Sequence, residues 1–373
     1  MTRAAFVYTK ELSQHVLRKD HPLQPARLQA AYELLAAYKA FELSELVRPA
    51  PAPESSLLSF HTQDYVDAVK LLSQGKKIVN ARKYNFDGHG DNPAFPGMFE
   101  ASLLTMGATL TATDLVLNKS CDTAFSISGG LHHAMPDHAS GFCTFNDVVI
   151  AINRILEKGL KVAYIDIDAH HADGVQAAFY ETDRVLNISL HESGRFLFPG
   201  TGEAEEIGAG KGEGYSVNIP LAPHTDDEIY VGVFNEIVVP LVEKFRADVL
   251  VTQMGCDTHF LDPLTHLQLS TAGYSSVVKK MRGFGLPWVA LGGGGYDIGA
   301  VARCWSMAYG YMLGREWDDE IPAPFRKAYS VKRLRDSEPA RQYLADIEQS
   351  RRFAGQSAAT VKKLVFPIHR IAS

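Results

Sequence analysis

One short segment of this sequence concentrates carboxylate and imidazole side chains: Asp166-Ile167-Asp168-Ala169-His170-His171-Ala172-Asp173. Asp166 and Asp168 stand two residues apart at the end of a β-rich apolar run, so both should point to the same face of a strand. Two carboxylates this close repel each other unless a cation or a proton intervenes. Asp and His are ordinary zinc ligands. The segment therefore predicts a metal site with Asp168 and His170, although an Asp pair could also cap loops or pair with an arginine.

A third metal ligand should come from another strand end, and Asp257 is the best candidate because it follows the apolar run Asp248–Met254. Taken alone, Asp257 would be better explained as a helix N-cap or a turn residue. A set of Asp168, His170 and Asp257 leaves coordination positions open, as catalytic zinc sites do. The oxygen-rich set would also suit Fe²⁺ or Mn²⁺, so the residues leave the identity of the metal open.

Adjacent histidines, His132 and His133, follow a Gly-Gly pair at the end of another apolar run. A single histidine is more often structural than catalytic. Two histidines beside a metal site are better interpreted as proton-transfer groups, because Asp166 and Asp173 are available to orient them. Such pairing would fix the imidazole tautomer and raise its basicity.

Tyr296 follows four consecutive glycines, Gly292–Gly295. Glycine permits close approach of the backbone and unusual dihedral angles. A phenol placed there could donate a hydrogen bond to a developing oxyanion. The alternative is a tight strand-to-helix turn with a surface tyrosine. A phosphate-binding loop is disfavoured, since the run lacks the G-x-x-x-x-G-K-[ST] pattern.

The elements that would position these residues are short apolar runs that alternate with helical patterns. This alternation predicts an α/β fold with one open, mostly parallel sheet flanked by helices. In such sheets ligands bind beyond the carboxyl ends of the strands, where all the polar segments above fall. The predicted strands are Ala4–Tyr8, Thr123–Ser128, Lys161–Asp168, Arg184–Leu190, Asp248–Met254 and Pro287–Leu291, and the clearest helices are Asp147–Lys158 and Asp226–Phe245.

Composition excludes several classes of protein. The 373 residues are 46% hydrophobic and 21% charged, which is typical of a globular chain and not of a disordered or coiled-coil one. A net charge of −6 argues against direct nucleic-acid binding. Four cysteines without a C-x-x-C pair indicate reduced thiols, and neither a signal peptide nor an apolar run of about 18 residues is present. We therefore expect a cytoplasmic protein that does not span a membrane.

The C-terminal part of the chain is basic. Between Arg326 and Arg370 it carries eleven Lys or Arg against four Asp or Glu. Such a segment could be an interaction arm. The simpler interpretation, helices packed on the domain with a solvated basic face, is preferred.

In this order, the motifs resemble the histone deacetylase superfamily, in particular class I deacetylases and bacterial acetoin-utilisation (AcuC-like) deacetylases. The resemblance extends from about residue 15 to about residue 315. The matching segments include His21-Pro22, Phe60-His61, Gly129–Ala134, Gly141-Phe142-Cys143, Phe145-Asn146-Asp147, Asp166–Gln176, Phe198–Gly202, Tyr215–Pro220 and Leu291–Tyr296.

The resemblance implies a sheet of the arginase–deacetylase type, with a catalytic domain over 1–315 and a basic extension over 316–373. It assigns zinc to Asp168, His170 and Asp257, while the ligand types leave Fe²⁺ as the alternative. Proton transfer falls to His132 and His133, supported by Asp166 and Asp173 respectively, and Tyr296 would polarise the substrate carbonyl.

The resemblance also implies a substrate tunnel and two potassium sites. Phe142 and Phe198 would form the tunnel walls beside Gly141, with Leu264 near the mouth and Asp91 on the rim. The first potassium site would use Asp166, Asp168, His170, Ser189 and Leu190. The second would use Phe179, Thr182, Val185 and Tyr215.

The function expected is metal-dependent hydrolysis of acetyl amides, in particular N-acetyl-lysine in proteins or peptides. The alternatives are a small-molecule amidohydrolase acting on acetylpolyamines or related amides, and a binding scaffold without catalysis. Cys256 and the segment Thr258-His259-Phe260 depart from the usual family pattern, which leaves the substrate preference at the rim open. Homo-oligomerisation is also left open.

Overall fold

A computed structural model describes residues 3–14, 16–86, 90–338 and 344–372. Within these residues eight strands form a single open sheet in which every pairing is parallel, in the order β2-β1-β3-β8-β7-β4-β5-β6. The α/β fold class expected from the sequence is thereby confirmed. The strands are β1 (Ala4–Val7), β2 (Glu45–Val47), β3 (Thr123–Ser126), β4 (Val162–Asp166), β5 (Val185–Glu192), β6 (Ser216–Leu221), β7 (Val249–Gln253) and β8 (Trp288–Leu291).

The register of the sheet brings the carboxyl ends of its central strands into one row. Ser126 pairs with Leu291, Leu291 with Gln253, Gln253 with Asp166, and Asp166 with Ser189. The loops that leave β3, β8, β7 and β4 therefore start side by side. This row explains why polar residues far apart in sequence meet at one edge of the sheet.

Helices cover both faces of the sheet, and one long C-terminal helix lies along β6. Their ends follow ordinary capping rules: Asn146 accepts from the Val149 amide at the start of α4, and Gly159 adopts φ +80° after its end. The helices are α1 (Ala26–Ala37), α2 (Gln63–Ser73), α3 (Met98–Leu117), α4 (Asp147–Leu156), α5 (Asp173–Phe179), α6 (Asp227–Val233), α7 (Val239–Phe245), α8 (Thr271–Gly283), α9 (Ile298–Met312), α10 (Ala323–Tyr329), α11 (Leu344–Leu364) and α12 (Phe366–His369).

The two helices predicted most clearly form close to where they were expected. The helix predicted over Asp147–Lys158 is α4, which ends two residues earlier. The pattern over Asp226–Phe245 corresponds to α6 and α7, joined by a π-helical turn at Phe234–Val238.

Two strands were missed by sequence reasoning, β2 and β6. β2 has three residues at one edge of the sheet and is largely exposed, so it lacks the apolar pattern of a buried strand. β6 carries Pro220 and the polar residues Ser216 and Asn218, which argue against a strand. Proline is tolerated there because β6 lies at the other edge of the sheet and pairs with β5 alone.

Helix α11 covers the free edge of β6. The hydroxyl of Ser357 donates to the Pro220 carbonyl at 2.7 Å, and Arg351 lies 3.2 Å from Glu228 on α6. Lys362 pairs with Glu236 in the same way. Part of the basic charge of the C-terminal segment therefore faces acidic groups of the same chain.

The boundary at residue 315 between the catalytic domain and the C-terminal extension stays a prediction. Among the described helices, none is long and apolar enough to cross a membrane.

Candidate active site

Three buried side chains converge beyond the ends of β4 and β7: Asp168, His170 and Asp257. One ligand atom from each lies within 4.8 Å of the other two. The Nδ1 atom of His170 is 2.9 Å from Asp168 Oδ1 and 3.0 Å from Asp257 Oδ2. A single imidazole N–H cannot satisfy two carboxylates at once, whereas a divalent cation among the three groups would. The donor set fits a zinc-type site with open coordination positions.

Backbone and side-chain donors fix the orientation of the two carboxylates. Asp168 Oδ2 accepts from Gln253 Nε2 at 2.5 Å and from the Gly294 amide at 2.7 Å. Asp257 Oδ1 accepts from the Ala169 amide at 2.8 Å. Each carboxylate therefore keeps one oxygen held by the protein and the other directed at His170.

Glycine closes the backbone over these carboxylates. A Cβ atom added at Gly294 would lie 2.1 Å from Asp257 Oδ2, and one added at Gly255 would lie 2.5 Å from Asp168 Oδ2. Contacts this short do not occur for real Cβ atoms. The need for glycine at Gly294 explains part of the four-glycine run, since any side chain there would displace a ligand.

The electrostatics of the site also favour a bound cation. Burial raises the pKa of Asp257, and the neighbouring Asp168 carboxylate raises it further. Burial would also raise the pKa of Asp168, but His132 and His170 lower it well below its usual range. The two buried carboxylates thus lie close together, and Asp257 resists ionisation while Asp168 is ionised. A divalent cation relieves this repulsion.

The two adjacent histidines each contact the carboxylate expected from the sequence. His132 Nδ1 lies 2.7 Å from Asp166 Oδ2, and His133 Nδ1 lies 2.6 Å from Asp173 Oδ1. Tyr164 also donates to Asp166 Oδ2, at 2.5 Å. Because each Nδ1 faces a carboxylate, both rings are held with Nδ1 protonated and Nε2 directed away from the carboxylates.

The Nε2 atoms of His132 and His133 are 3.0 Å apart. Since both Nδ1 atoms carry hydrogens, this contact requires a further proton on one Nε2 atom. Burial would lower the pKa of His132, but Asp166 and Asp168 raise it to about 9. Burial and the neighbouring His132 lower the pKa of His133 to about 4. The hydrogen bond between the two Nε2 atoms therefore holds one proton, and a histidine pair of this kind can take up and release a proton.

Asn146 and Asp147, which belong to a motif noted in the sequence but were assigned no role, hold the histidine loop. The Asp147 carboxylate accepts from the amides of Gly130 and Leu131, at 3.0 and 2.7 Å. The Asn146 side chain donates to the carbonyls of His132 and Ala134. Both residues also begin helix α4, so a helix start that was readable from the sequence positions the loop.

Tyr296 lies half-buried at the end of the glycine run, with its amide donating to Asp262 Oδ2 at 2.8 Å. Burial and the carboxylates of Asp257 and Asp168 raise the pKa of its phenol well above the usual range. The phenol therefore stays protonated at neutral pH and remains a hydrogen-bond donor. Both Tyr296 and the histidine pair line one small cavity of about 30 Å³ together with Asp168 and His170.

Arg27 is a second buried support of the glycine run that the sequence did not reveal. Its guanidinium donates to the carbonyls of Gly293 and Gly295, at 2.6 and 3.2 Å, and lies over the ring of Trp305. The only signal in the sequence is a charged residue on the otherwise apolar side of α1. Asp262 gave no signal at all, because a lone Asp before a proline reads as a turn residue.

The two predicted tunnel walls each pack against a residue that lines the cavity. The rings of Phe142 and Tyr296 are 5.9 Å apart between centroids, and those of Phe198 and His133 are 5.1 Å apart. Phe198 is 42% exposed, so its outer part faces solvent. A Cβ atom at Gly141 would lie 2.4 Å from His133 Cδ2 and 2.9 Å from Phe198 Cε1. Gly141, which adopts φ +49°, therefore lets the wall approach the histidine.

The two predicted rim residues are placed differently. The Leu264 amide donates to Asp262 Oδ1 at 2.9 Å, which links the Leu264 loop to the Tyr296 turn. Asp91 is exposed, and its backbone carbonyl contacts His21 Nε2 at 3.1 Å. The His21 ring packs on Phe142 with 4.5 Å between ring centroids, so Asp91 connects to this tunnel wall through His21 alone.

The residues of the two expected potassium sites occupy opposite ends of β5. Ser189 pairs with Asp166 in the sheet and its hydroxyl accepts from the Ala172 amide at 3.4 Å, close to the first set. In the second set, Val185 begins β5, and the Tyr215 carbonyl accepts from Asn187 at 2.8 Å. Nothing in the structure tests ion binding at either place, and both sites stay predictions. The first set comprises Asp166, Asp168, His170, Ser189 and Leu190, and the second comprises Phe179, Thr182, Val185 and Tyr215.

Comparison with known proteins agrees with this geometry. The sequence matches the family profile described as a histone deacetylase domain over residues 21–312. It is 40% identical over 329 residues to the acetoin utilization protein AcuC of Bacillus subtilis (strain 168), covering 86% of this chain and 85% of that protein. It is 38% identical over 323 residues to histone deacetylase 19 of Arabidopsis thaliana, covering 86% of this chain and 64% of that protein.

A further relative is type-1 histone deacetylase 1 of Dictyostelium discoideum, which is 36% identical over 321 residues, covering 86% of this chain and 65% of that protein. The profile spans the three candidate ligands, the histidine pair and Tyr296. The relationship expected from the sequence motifs is thereby confirmed: the chain belongs to the histone deacetylase family.

Proposed function

We propose that this protein hydrolyses acetyl amides with a bound divalent metal, and that its substrates are N-acetyl-lysine side chains of proteins or peptides. The observation that carries the proposal is one cavity lined by two candidate metal ligands, the histidine pair and the Tyr296 phenol, with the third candidate ligand, Asp257, beside the first two. Each group has a role in amide hydrolysis, and the groups lie close enough together to act on one substrate.

Asp168, His170 and Asp257 would hold the metal, which we take to be Zn²⁺, with Fe²⁺ suited to the same ligands. When bound, such a metal polarises the amide carbonyl and acidifies a water molecule. We also propose K⁺ at the two sets of residues near the two ends of β5. The four cysteines are unpaired and buried, which supports a reducing, cytoplasmic location.

The histidine pair would move the protons of the reaction. His132 lies deeper, between Asp166 and His133, whereas His133 contacts the tunnel wall at Phe198. We propose that the pair takes the proton of the attacking water and that His133, which faces the tunnel, donates a proton to the leaving amine. Tyr296 would donate a hydrogen bond to the oxyanion that develops on the acetyl carbonyl.

The aromatic walls support a substrate with a linear aliphatic chain, as a lysine side chain has. Phe142 packs near Tyr296 and Phe198 packs near His133, and the absence of a side chain at Gly141 lets Phe198 and His133 come this close. Apolar walls suit a linear aliphatic chain, and they keep water away from the reacting carbonyl. An acetylated lysine presents such a chain in front of its amide.

Steady-state kinetics would test the substrate class. The purified protein is compared on an acetyl-lysine peptide and on acetylputrescine, with Tyr296→Phe as the inactive control in both assays. We expect a much higher kcat/KM for the peptide. A higher value for acetylputrescine would replace the proposal with a small-molecule amidohydrolase, and no turnover of either would support a binding scaffold.

A further inference from the structure

A buried ionic cluster lies beneath the turn that carries Asp257. Asp336, near the C-terminal end of the segment that follows α10, receives a hydrogen bond from Arg303 on α9 at 2.5 Å and contacts His259 Nε2 at 3.0 Å. The side chains of Asp336, His259 and Arg303 are 10%, 2% and 7% exposed. Asp336 lies beyond residue 312, where the match to the histone deacetylase domain ends.

Asp336 is held firmly in place. Its Oδ2 atom accepts from the Thr271 amide at 2.8 Å at the start of α8, and its own amide donates to the Thr271 hydroxyl at 2.9 Å. The C-terminal segment is therefore anchored to α8 and α9 at this point. A carboxylate that is held in place in this way can fix the position of a further group that donates a hydrogen bond to it.

The group that it binds is the imidazole of His259, two residues after Asp257. His259 Nδ1 accepts from the Leu261 amide at 3.2 Å, so the ring hydrogen resides on Nε2 and is donated to Asp336. The tautomer follows from the hydrogen bonds alone. Both ring nitrogens are engaged, and the ring cannot rotate without losing two partners.

The turn that contains His259, residues 256–262, is linked to Asp257 near its start and to Tyr296 through Asp262 at its end. The His259 amide donates to the Cys256 carbonyl at 3.1 Å, and the His259 carbonyl accepts from the Asp262 amide at 2.8 Å. Asp257 supplies a candidate metal ligand, and Asp262 accepts from the Tyr296 amide at 2.8 Å. A shift of the His259 ring would therefore move a metal ligand and the phenol together.

We infer that Asp336 is a positioning residue of the active site: acting through His259, it fixes the turn 256–262 and with it Asp257 and Tyr296. The segment that follows the family domain thus completes the support of the metal site. This inference rests on the proposed metal site at Asp168, His170 and Asp257. Removal of partners one step behind metal ligands typically lowers metal affinity or activity by about 10- to 100-fold.

A matched pair of substitutions at His259 separates positioning from stability. His259→Leu keeps the side-chain volume but removes the donor to Asp336, while His259→Gln keeps a donor near the position of Nε2. Both leave the Asp336–Arg303 pair intact, so no buried charge loses its main partner. Asp336→Asn tests the carboxylate itself, and Arg351→Ala, which breaks an exposed C-terminal ion pair, serves as the control.

The experiment measures the Zn²⁺ dissociation constant by chelator competition, kcat and KM on an acetyl-lysine peptide, and Tm for each full-length variant. We expect His259→Leu and Asp336→Asn to weaken Zn²⁺ binding about 10-fold or more and to lower kcat with little change in KM. His259→Gln and Arg351→Ala should stay within about a factor of two of the wild type.

Unchanged Zn²⁺ affinity and kcat in His259→Leu, with only a lower Tm, would overturn the inference and leave Asp336 a purely structural residue. If Asp336→Asn does not fold, the two His259 variants decide the question. Failure of the wild type to bind Zn²⁺ would instead overturn the proposed metal site, which is a different result from normal binding by all variants.

Discussion

Gly294→Ala should disable the proposed metal site by steric displacement. The added Cβ atom would lie 2.1 Å from Asp257 Oδ2 and 2.8 Å from Asp168 Oδ2. Gly294 lacks the positive φ of its neighbours Gly293 and Gly295, so alanine adds no backbone strain of the left-handed kind. The consequence of the substitution is therefore confined to its contacts with the two carboxylates.

The size of the effect follows from the distances. Cβ contacts under 3.0 Å do not occur, so Asp257 Oδ2 must move by ~0.9 Å relative to the new atom. Metal–ligand distances tolerate about 0.2 Å. The movement required is several times larger than this tolerance, and Asp257 cannot retreat freely because its other oxygen is held by the Ala169 amide. A misplacement of about 1 Å at a reacting centre can cost about 100-fold in rate.

Chelator competition for bound Zn²⁺, kinetics on an acetyl-lysine peptide and a thermal melt would measure the outcome. We expect Gly294→Ala to lose at least about 100-fold in kcat/KM together with metal affinity. Gly232→Ala is the control, because it lies in α6 with nothing within 4 Å of the added Cβ. Wild-type metal affinity and turnover in folded Gly294→Ala would refute the placement of these carboxylates as ligands.

Three further predictions concern single groups. Tyr296→Phe should fold and bind metal but lose about 10²–10³-fold in kcat with little change in KM, measured by steady-state kinetics, because one oxyanion donor is removed. Asp173→Asn should lower kcat by at least about 10²-fold with normal metal content, because it disturbs the protonation of His133; near-normal turnover would exclude that role. Burial lowers the pKa of His61 to about 4, and its ring accepts from the Asn146 amide at 2.9 Å. The contribution of neutral His61 to the free energy of unfolding is complete above the unfolded pKa of about 6.5 and declines by up to about 3 kcal/mol as pH falls to 4. Between these pH values, the free energy of unfolding measured in urea should therefore fall more steeply for the wild type than for His61→Gln.

The sequence predicted the central strands of the sheet and the approximate positions of their ends, but it did not predict all of the strands at the edges. The runs ending at Ser128, Asp168, Met254 and Leu291 all correspond to strands, because buried parallel strands leave near-continuous apolar segments. The first three were predicted one or two residues too long, and those extra residues belong to the loops that carry the site, whereas β8 ends at Leu291 as predicted. β6 was missed because Pro220 contradicts the local pattern, and its tolerance at an edge depends on the whole sheet.

The sequence also predicted the chemical groups of the site better than the residues that hold those groups in position. The Asp, His and Tyr residues stand in compact motifs, and the structure brings them together around one cavity and the adjacent candidate metal site. Arg27, Asp262 and Asp336 act across long sequence separations, and each is a single charged residue without a local pattern. Only the fold shows which backbone groups they hold.

The most direct test of the central claim is acetate release from an acetyl-lysine peptide, measured with metal content on the same preparations of wild type and Asp257→Ala. The account predicts that the wild type contains bound divalent metal and releases acetate, and that Asp257→Ala, which lacks one of the three candidate protein ligands, does neither. Acetate release at the wild-type rate by metal-free Asp257→Ala, or none from metal-loaded wild type, would contradict it.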